Sequence, residues 1–187
     1  GAAPAPIPAK VRYDAESAIQ IGRAVAPARP IWLEDPVPED NIDALVLVRR
    51  SVPVPVAFGE NTYTRYGFRE VVEKQAASVL QPDMTKCGGL LETKKIAAMA
   101  ETYHIRIAPH GTATPLGQMA YAQVCATIPN FLILEWGFLF QDEWNSLMRN
   151  VPTYENGFVS LAEAPGIGIE VNDDAIREKV RPGFTWS

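Results

Sequence analysis

Five residues of catalytic type follow short apolar runs at a nearly constant spacing. The runs end at Glu34, Glu60, Asp83, His110 and Glu135. Successive members of this set are 23 to 27 residues apart, which is room for one strand, one helix and two short loops. In a parallel barrel the carboxyl ends of the strands face one mouth, so the five side chains are predicted to converge on one pocket. Carboxylates and an imidazole in one pocket indicate a metal-assisted acid/base site.

The segments around these residues have the patterns of alternating strands and helices. Short apolar runs predict strands at 31–34, 54–59, 78–81, 105–108 and 131–135. Amphipathic or apolar patterns between and after them predict helices at 40–50, 64–75, 90–103 and 115–127. Asp14 is predicted to be the N-cap of an earlier helix, Asn156-Gly157 a hairpin turn, and 172–180 a charged helix.

Composition restricts the classes of partner and compartment. The 187 residues have a formal net charge of −5 and contain no basic run, which argues against nucleic acid as a partner. No apolar run is long enough to span a bilayer, so no membrane partner is expected. Cys87 and Cys125 are far apart and lack ligand spacing. They are predicted to be free thiols in a reducing compartment, which favours a cytoplasmic location.

The chain is short for a complete eight-stranded barrel, which needs about 250 residues. Residues 1–10 read GAAPAPIPAK, and their prolines are typical of a linker, an irregular segment or a truncated strand end. Residues 11–150 are predicted to form a partial (β/α) barrel, and residues 151–187 a C-terminal tail. The fold class is therefore α/β.

Five motifs resemble the barrel domain of the enolase superfamily, specifically its mandelate racemase/muconate lactonizing enzyme subgroup. In chain order they are WLEDP (32–36), FGEN (58–61), QPDMTKCGG (81–89), IAPHG (107–111) and LILEW (132–136). The stretches APHGTATPLG and IPNFLILEW are most similar to the sugar-acid dehydratases of that family. The resemblance implies a TIM-type barrel portion that is incomplete at its N-terminal side. It also implies that the tail packs against a capping domain.

The resemblance implies a role for each of the five residues. Glu34 and Glu60 match two of the three carboxylates that hold Mg²⁺ in this family. His110 matches the general acid/base, Asp83 the carboxylate that orients it, and Glu135 the acid that binds the substrate carboxylate. The implied reaction is a Mg²⁺-dependent lyase reaction, in which abstraction of a proton α to a carboxylate gives an enediolate. Dehydration of a small-molecule sugar acid by a homo-oligomeric enzyme is expected.

The chain departs from the family pattern in ways that leave alternatives open. The third metal carboxylate is expected near Pro8, but no Asp or Glu precedes Asp14. The family's second-strand lysine motif also has no match. A racemase or epimerase of the same family, or a non-catalytic fragment or scaffold, therefore remains an alternative function.

Each of these residues also has a simpler interpretation when it is taken alone. Glu60 could be a helix cap and Asp83 a turn former. Asp35 is expected to be a loop carboxylate, Lys86 a surface lysine near the pocket, and His104 an exposed histidine at a helix end. The shared position and period of the five residues favour a site.

Overall fold

The computed structural model describes residues 7–8, 13–111, 113–137, 141–150, 152–161 and 163–186. Its main feature is a five-stranded sheet in which every neighbouring pair is parallel and the spatial order follows the chain order. The strands are β1 (Ile7–Pro8), β2 (Leu33–Glu34), β3 (Val56–Phe58), β4 (Val79–Leu80) and β5 (Arg106–Ile107). Parallel strands in chain order are the arrangement that serial βα units produce. The sheet confirms the α/β class and the partial barrel that the sequence predicts.

Seven α-helices occur in the described residues. They are α1 (Ala15–Val25), α2 (Ile42–Ser51), α3 (Thr64–Glu73), α4 (Leu90–Glu101), α5 (Pro115–Cys125), α6 (Gln141–Ser146) and α7 (Asp173–Lys179). A 3₁₀ turn, Ala26–Ala28, follows α1 where prolines enter the sequence. Helices α1 to α5 and α7 confirm the predicted helices to within a few residues at each end.

The remaining regular structure is a small hairpin. Strands β6 (Tyr154–Glu155) and β7 (Phe158–Val159) pair antiparallel, as the Asn156-Gly157 dipeptide predicts. Asn156 and Gly157 have φ values of 51° and 82°. Positive φ at both central residues is what a type I′ turn requires, and Asn and Gly tolerate it best.

The chain divides into two compact units. The first contains residues 1–110 and 128–133, and therefore the whole parallel sheet with α1 to α4. The second contains residues 111–127 and 134–187, with α5, α6, α7 and the hairpin. The predicted assignment of residues 11–150 to a barrel and 151–187 to a tail stays a prediction. The predicted linker at 1–10 lies outside the described residues except at Ile7–Pro8, which form β1.

The sheet of the first unit is buried on both faces. Trp32, Ala57, Val79 and Ala108, one from each of four successive strand segments, form a core cluster on one face, with Ile31 and Leu132 packed against it. Residues at alternate positions on the other face are also fully buried, and include Leu33, Val56, Phe58, Leu80 and Ile107. Burial on both faces is typical of parallel sheets and explains why these strands are continuous apolar runs.

One predicted strand is wrong in extent, and one helix escaped prediction. Instead of a strand at 131–135 the structure has a single parallel bridge between Phe131 and Ile107. Leu132 N–H still donates to Ile107 O, but the Glu135 carbonyl accepts from the Gln118 side chain rather than from a strand. The short helix α6 is too brief to show an apolar period, so its aromatic and polar sequence gives no helix signal.

Both cysteines are free, as predicted, and both are buried. Burial raises the pKa of the Cys87 thiol, and raises the pKa of the Cys125 thiol to about 12. Among the helices that the structure describes, none has both the length and the apolar character needed to cross a membrane.

Candidate active site

The core cluster fixes where the site residues emerge from the sheet. Glu34 lies two residues after Trp32, Gln81 two after Val79, and His110 two after Ala108. Because side chains alternate with a period of two along an extended chain, these polar residues continue the face that the cluster begins. The candidate site is therefore a layer of polar side chains at the carboxyl ends of the strands, directly after the apolar layer that the core cluster forms.

His110 and Asp83 form a hydrogen-bonded pair at this end of the sheet. The His110 Nδ1 atom is 2.8 Å from Asp83 Oδ2, and both side chains are almost completely buried. A carboxylate accepts only, so His110 donates its Nδ1–H and keeps a lone pair on Nε2 in the neutral form. The arrangement orients an imidazole so that Nε2 can take up a proton.

Asp83 is held in place by the loop that follows it. Its other oxygen, Oδ1, accepts hydrogen bonds from the backbone N–H and the hydroxyl of Thr85, at 2.8 and 2.6 Å. Its backbone carbonyl accepts from the N–H groups of Lys86 and Cys87. Asp83 is therefore both a turn former and the partner of His110, which joins the two interpretations that the sequence left open.

Glu60 approaches the other side of the imidazole. Its Oε2 lies 3.5 Å from His110 Nε2, and its side chain is 14% exposed. The Lys86 ammonium lies 3.7 Å from Asp83 Oδ2 and donates to Asn61 Oδ1 at 3.2 Å. Lys86 is thus only partly exposed and borders the site, rather than being an independent surface lysine.

Two N–H donors converge on one oxygen of Glu34. Trp32 Nε1 donates to Glu34 Oε2 at 2.9 Å, and Gln81 Nε2 donates to the same oxygen at 2.8 Å. Trp32 lies on the same side of β2 as Glu34, whereas Gln81 follows β4 and reaches across β3. Gln81 was not among the residues predicted from the sequence, although its spacing from Val79 places it on the site face.

Asp35 lies in a buried environment that also contains other carboxylates. Burial raises the pKa of Asp35 to about 7, against the effect of the Gly59 N–H that donates to it, and the carboxylates of Glu60, Glu34 and Glu39 raise it further. Like charges that oppose ionisation in this way are relieved when a cation binds. Asp35 lies in the loop after β2, as expected of a loop carboxylate, and it also belongs to this acidic group.

Glu135 belongs to the second unit. There its Oε2 accepts the backbone N–H of Gly111 at 2.9 Å, and its carbonyl accepts from Gln118. A Cβ atom on Gly111 would collide with the Glu135 carbonyl oxygen, so only glycine permits this approach. The structure brings Glu34, Glu60, Asp83 and His110 together in the first unit, and the predicted role of Glu135 stays a prediction.

Glu34 and Glu60 are the residues of this layer whose chemistry suits a bound cation. Among the described residues, no three His, Cys, Asp or Glu side chains converge closely enough to form a complete protein-only site. Glu34 and Glu60, which belong to the acidic group around Asp35, nevertheless have the hard oxygen atoms that such an ion prefers. Because Mg²⁺ commonly binds through one or two carboxylates and keeps several waters, the donor set fits this ion.

The expected place of a third carboxylate also agrees with the sheet register. Pro8 of β1 pairs with Glu34 of β2, so the end of β1 lies beside the end of the strand that carries Glu34. The sequence there contains no carboxylate. The chain therefore departs from the family pattern in the type of residue at the end of β1, because no carboxylate occurs there.

Three further polar residues have roles outside this layer. Asp14 caps α1 and accepts the Ser17 N–H, as predicted. Arg65, on α3, is paired with Glu92 of α4 at 2.6 Å. His104 is exposed after α4, as expected.

A parallel α/β sheet in chain order, whose carboxyl end carries an oriented His–Asp pair and clustered carboxylates, is the arrangement of a (β/α)-barrel domain. Residues 7–175 match the family described as Enolase C-terminal domain-like. The chain belongs to this family of the enolase superfamily, in the mandelate racemase/muconate lactonizing enzyme group.

Curated relatives and solved structures agree with this assignment. The chain is 41% identical over 154 residues to D-xylonate dehydratase of Haloferax volcanii, covering 82% of this chain and 37% of that protein. It is 34% identical over 174 residues to D-galactarolactone cycloisomerase of Agrobacterium fabrum, covering 89% of this chain and 46% of that protein.

A mandelate racemase/muconate lactonizing enzyme-like protein from Rubrobacter xylanophilus superposes with a TM-score of 0.90 at 41% identity. That match covers 96% of this chain and 46% of the solved chain. The chain thus spans less than half the length of these relatives.

Proposed function

We propose that this chain carries the acid/base centre of a Mg²⁺-dependent lyase that dehydrates a sugar acid. The observation that carries the proposal is the buried Asp83–His110 pair beside two carboxylates from neighbouring strand ends. Names of relatives supply the substrate class, since several are sugar-acid dehydratases, including a D-galactonate dehydratase of Variovorax paradoxus that is 32% identical over 181 residues.

His110 has the geometry for both proton transfers of such a reaction. Asp83 holds Nδ1–H, so Nε2 accepts the proton from the carbon α to the substrate carboxylate. The electron pair of the broken C–H bond then expels the β-hydroxyl, which leaves as water with the proton that Nε2 returns. The resulting enol becomes a 2-keto-3-deoxy acid, so substrate and product differ by one water.

Glu34 and Glu60 would hold the metal. When bound, Mg²⁺ would stabilise negative charge on the substrate carboxylate as the α proton leaves. The two N–H groups that donate to Glu34 Oε2 keep that carboxylate oriented. Glu135 is proposed, from the family resemblance, to bind the substrate carboxylate.

Activity on defined sugar acids tests this proposal. D-xylonate, D-gluconate and D-galactonate are incubated with the chain and Mg²⁺ in D₂O, and products are followed by NMR. We expect one or more of the three to form a 2-keto-3-deoxy acid. His110→Asn is expected to slow the reaction by at least about 100-fold, since it removes the acid/base.

His104→Asn is the matched control, because His104 is the other histidine of the chain and is exposed. It should leave the rate unchanged. The proposal is wrong if none of the acids is dehydrated with Mg²⁺ present, or if His110→Asn is as active as the wild type.

A second reaction type has a specific observation in its favour. The cycloisomerase relative shows that this group includes isomerases as well as lyases. A racemase or epimerase would exchange the α hydrogen for deuterium without losing water, so the same NMR experiment distinguishes it. A non-catalytic scaffold would give neither product nor exchange. Homo-oligomeric assembly and a cytoplasmic location stay predictions.

A further inference from the structure

We propose that Gln81 is a positioning residue that fixes the Glu34 carboxylate for cation binding. This inference rests on the proposed function, in which Glu34 is a metal ligand. Gln81 does not have to contact the cation itself. It acts through the hydrogen bond that joins its amide to Glu34 Oε2.

The hydrogen-bond geometry assigns different tasks to the two oxygens of Glu34. Trp32 Nε1 and Gln81 Nε2 both donate to Oε2, at 2.9 and 2.8 Å. Donors from two sides of one oxygen fix the plane of the carboxylate and leave Oε1 as the atom for a cation. Residues that orient a metal ligand in this way commonly change metal affinity when they are replaced.

The burial of Gln81 indicates that its amide has a polar task. Gln81 is 5% exposed and lies directly above the apolar layer of Trp32, Ala57 and Val79. A buried amide is unfavourable unless it is hydrogen-bonded, so an apolar side chain of equal size would fill the space at lower cost. The bond to Glu34 is the interaction that accounts for an amide at this position.

The charge of Glu34 also determines the orientation of the Gln81 side-chain amide. If the amide were turned over, its carbonyl oxygen would face the carboxylate, and two acceptors would repel each other. In the observed orientation Gln81 Oε1 is buried and has no hydrogen-bond partner within the described part of the chain. We infer that this oxygen accepts from a hydroxyl or water that enters with the cation.

Gln81→Met tests the proposal, because methionine has a similar size and cannot donate a hydrogen bond. Two readouts are used: the dissociation constant of Mg²⁺ by calorimetry, and the Trp32 indole N–H resonance of the metal-free protein, assigned with Trp32→Phe. We expect Gln81→Met to weaken Mg²⁺ binding by about tenfold or more. We also expect the Trp32 resonance to shift, since Trp32 shares its acceptor oxygen with Gln81.

Asn130→Leu provides a matched control at the opposite end of the strands. Asn130 Nδ2 donates to the carbonyls of Ala97 and Ile105, and Asn130 Oδ1 is buried without a hydrogen-bond partner in the described residues. The variant therefore removes a similar amide far along the strands from Glu34. It should lower the melting temperature without changing Mg²⁺ affinity or the Trp32 resonance.

The outcomes separate this inference from the proposed function. An unchanged Mg²⁺ affinity, or an unchanged Trp32 resonance, in Gln81→Met overturns the positioning role. Equal loss of affinity in Asn130→Leu also overturns it, because the effect would then be general destabilisation. If the wild type binds no Mg²⁺, the proposed metal function fails, and the Trp32 resonance alone decides whether Gln81 fixes Glu34.

Discussion

Asp83 is bound at both carboxylate oxygens, and this arrangement explains how a loop residue can be a precise orienting group. Thr85 holds one oxygen and His110 the other. The loop is thereby fixed by local bonds before it reaches the imidazole. Hydrogen bonds of single residues such as Asp83 fix the position of the imidazole, whereas the strands determine only the face of the sheet on which it lies.

Gly59 is a second residue with a defined local task. Its φ is 128°, and a Cβ would lie 2.6 Å from the ring of the fully buried Phe68. Its N–H donates to Asp35 Oδ1. Glycine is therefore required both by the backbone conformation and by the space.

Gly59→Ala is expected to lower the free energy of unfolding more than Gly89→Ala, as measured by urea unfolding. Gly89 has a φ of 91°, but a Cβ added there would meet no atom within 4 Å. Its substitution therefore carries only backbone strain, about 1–3 kcal/mol. Gly59→Ala adds overpacking against Phe68, worth about 1–3 kcal/mol more. Equal losses in the two variants would contradict the steric explanation.

Residues that directly follow an apolar run were easier to predict from the sequence than residues that act through a neighbouring side chain. Glu34, Glu60, Asp83 and His110 follow apolar runs, so their types and spacing predicted a shared pocket. Gln81 and Asp35 act through hydrogen bonds and charge on neighbouring strands. Those interactions depend on strand register, which a single sequence does not give.

At the scale of elements, the helix starts are set by short local signals. Asp14 caps α1 through its side chain, which accepts the Ser17 N–H at 2.8 Å and the Ser17 hydroxyl at 3.1 Å. These bonds lower the pKa of Asp14 below its ordinary value of 3.8. The folded state therefore binds this proton less tightly than the unfolded state.

The sign of the pH dependence follows from that lowered pKa. The stabilisation from Asp14 is present above pH 3.8 and is lost as pH falls through the lower folded pKa. Asp14→Ala should lower the melting temperature at pH 7, with a smaller difference from wild type well below pH 3.8. Asp14→Asn should retain most of the stability at pH 7, because it keeps an accepting oxygen. Identical melting of the Ala variant and the wild type at pH 7 would exclude the cap.

Strand lengths were less predictable than helix starts. The apolar runs extend four to six residues, but the paired strands have two or three. A run shows which residues are buried, whereas pairing also requires a neighbouring strand in register. At 131–135 the run is apolar, but the pairing is limited to a bridge at Phe131.

At the scale of the whole molecule, the chain contains the strand ends that carry most of the proposed chemistry but less than half the length of its relatives. The parallel order of the sheet was predictable, because the βα period is regular along the sequence. The division into two units was not, since contacts rather than local patterns define it. The sequence near Pro8 contains no carboxylate that could be the third metal ligand.

The melting temperature with and without Mg²⁺ tests the central claim, that Glu34 and Glu60 form part of a cation site. Wild type and the double variant Glu34→Gln/Glu60→Gln are compared. Without metal, the double variant should melt at a higher temperature, because it relieves repulsion within the acidic group at Asp35. With Mg²⁺, the wild type should gain about 2–4 °C for each kcal/mol of binding free energy, and the double variant should gain almost nothing. An equal rise in both proteins, or no rise in the wild type, would contradict the account.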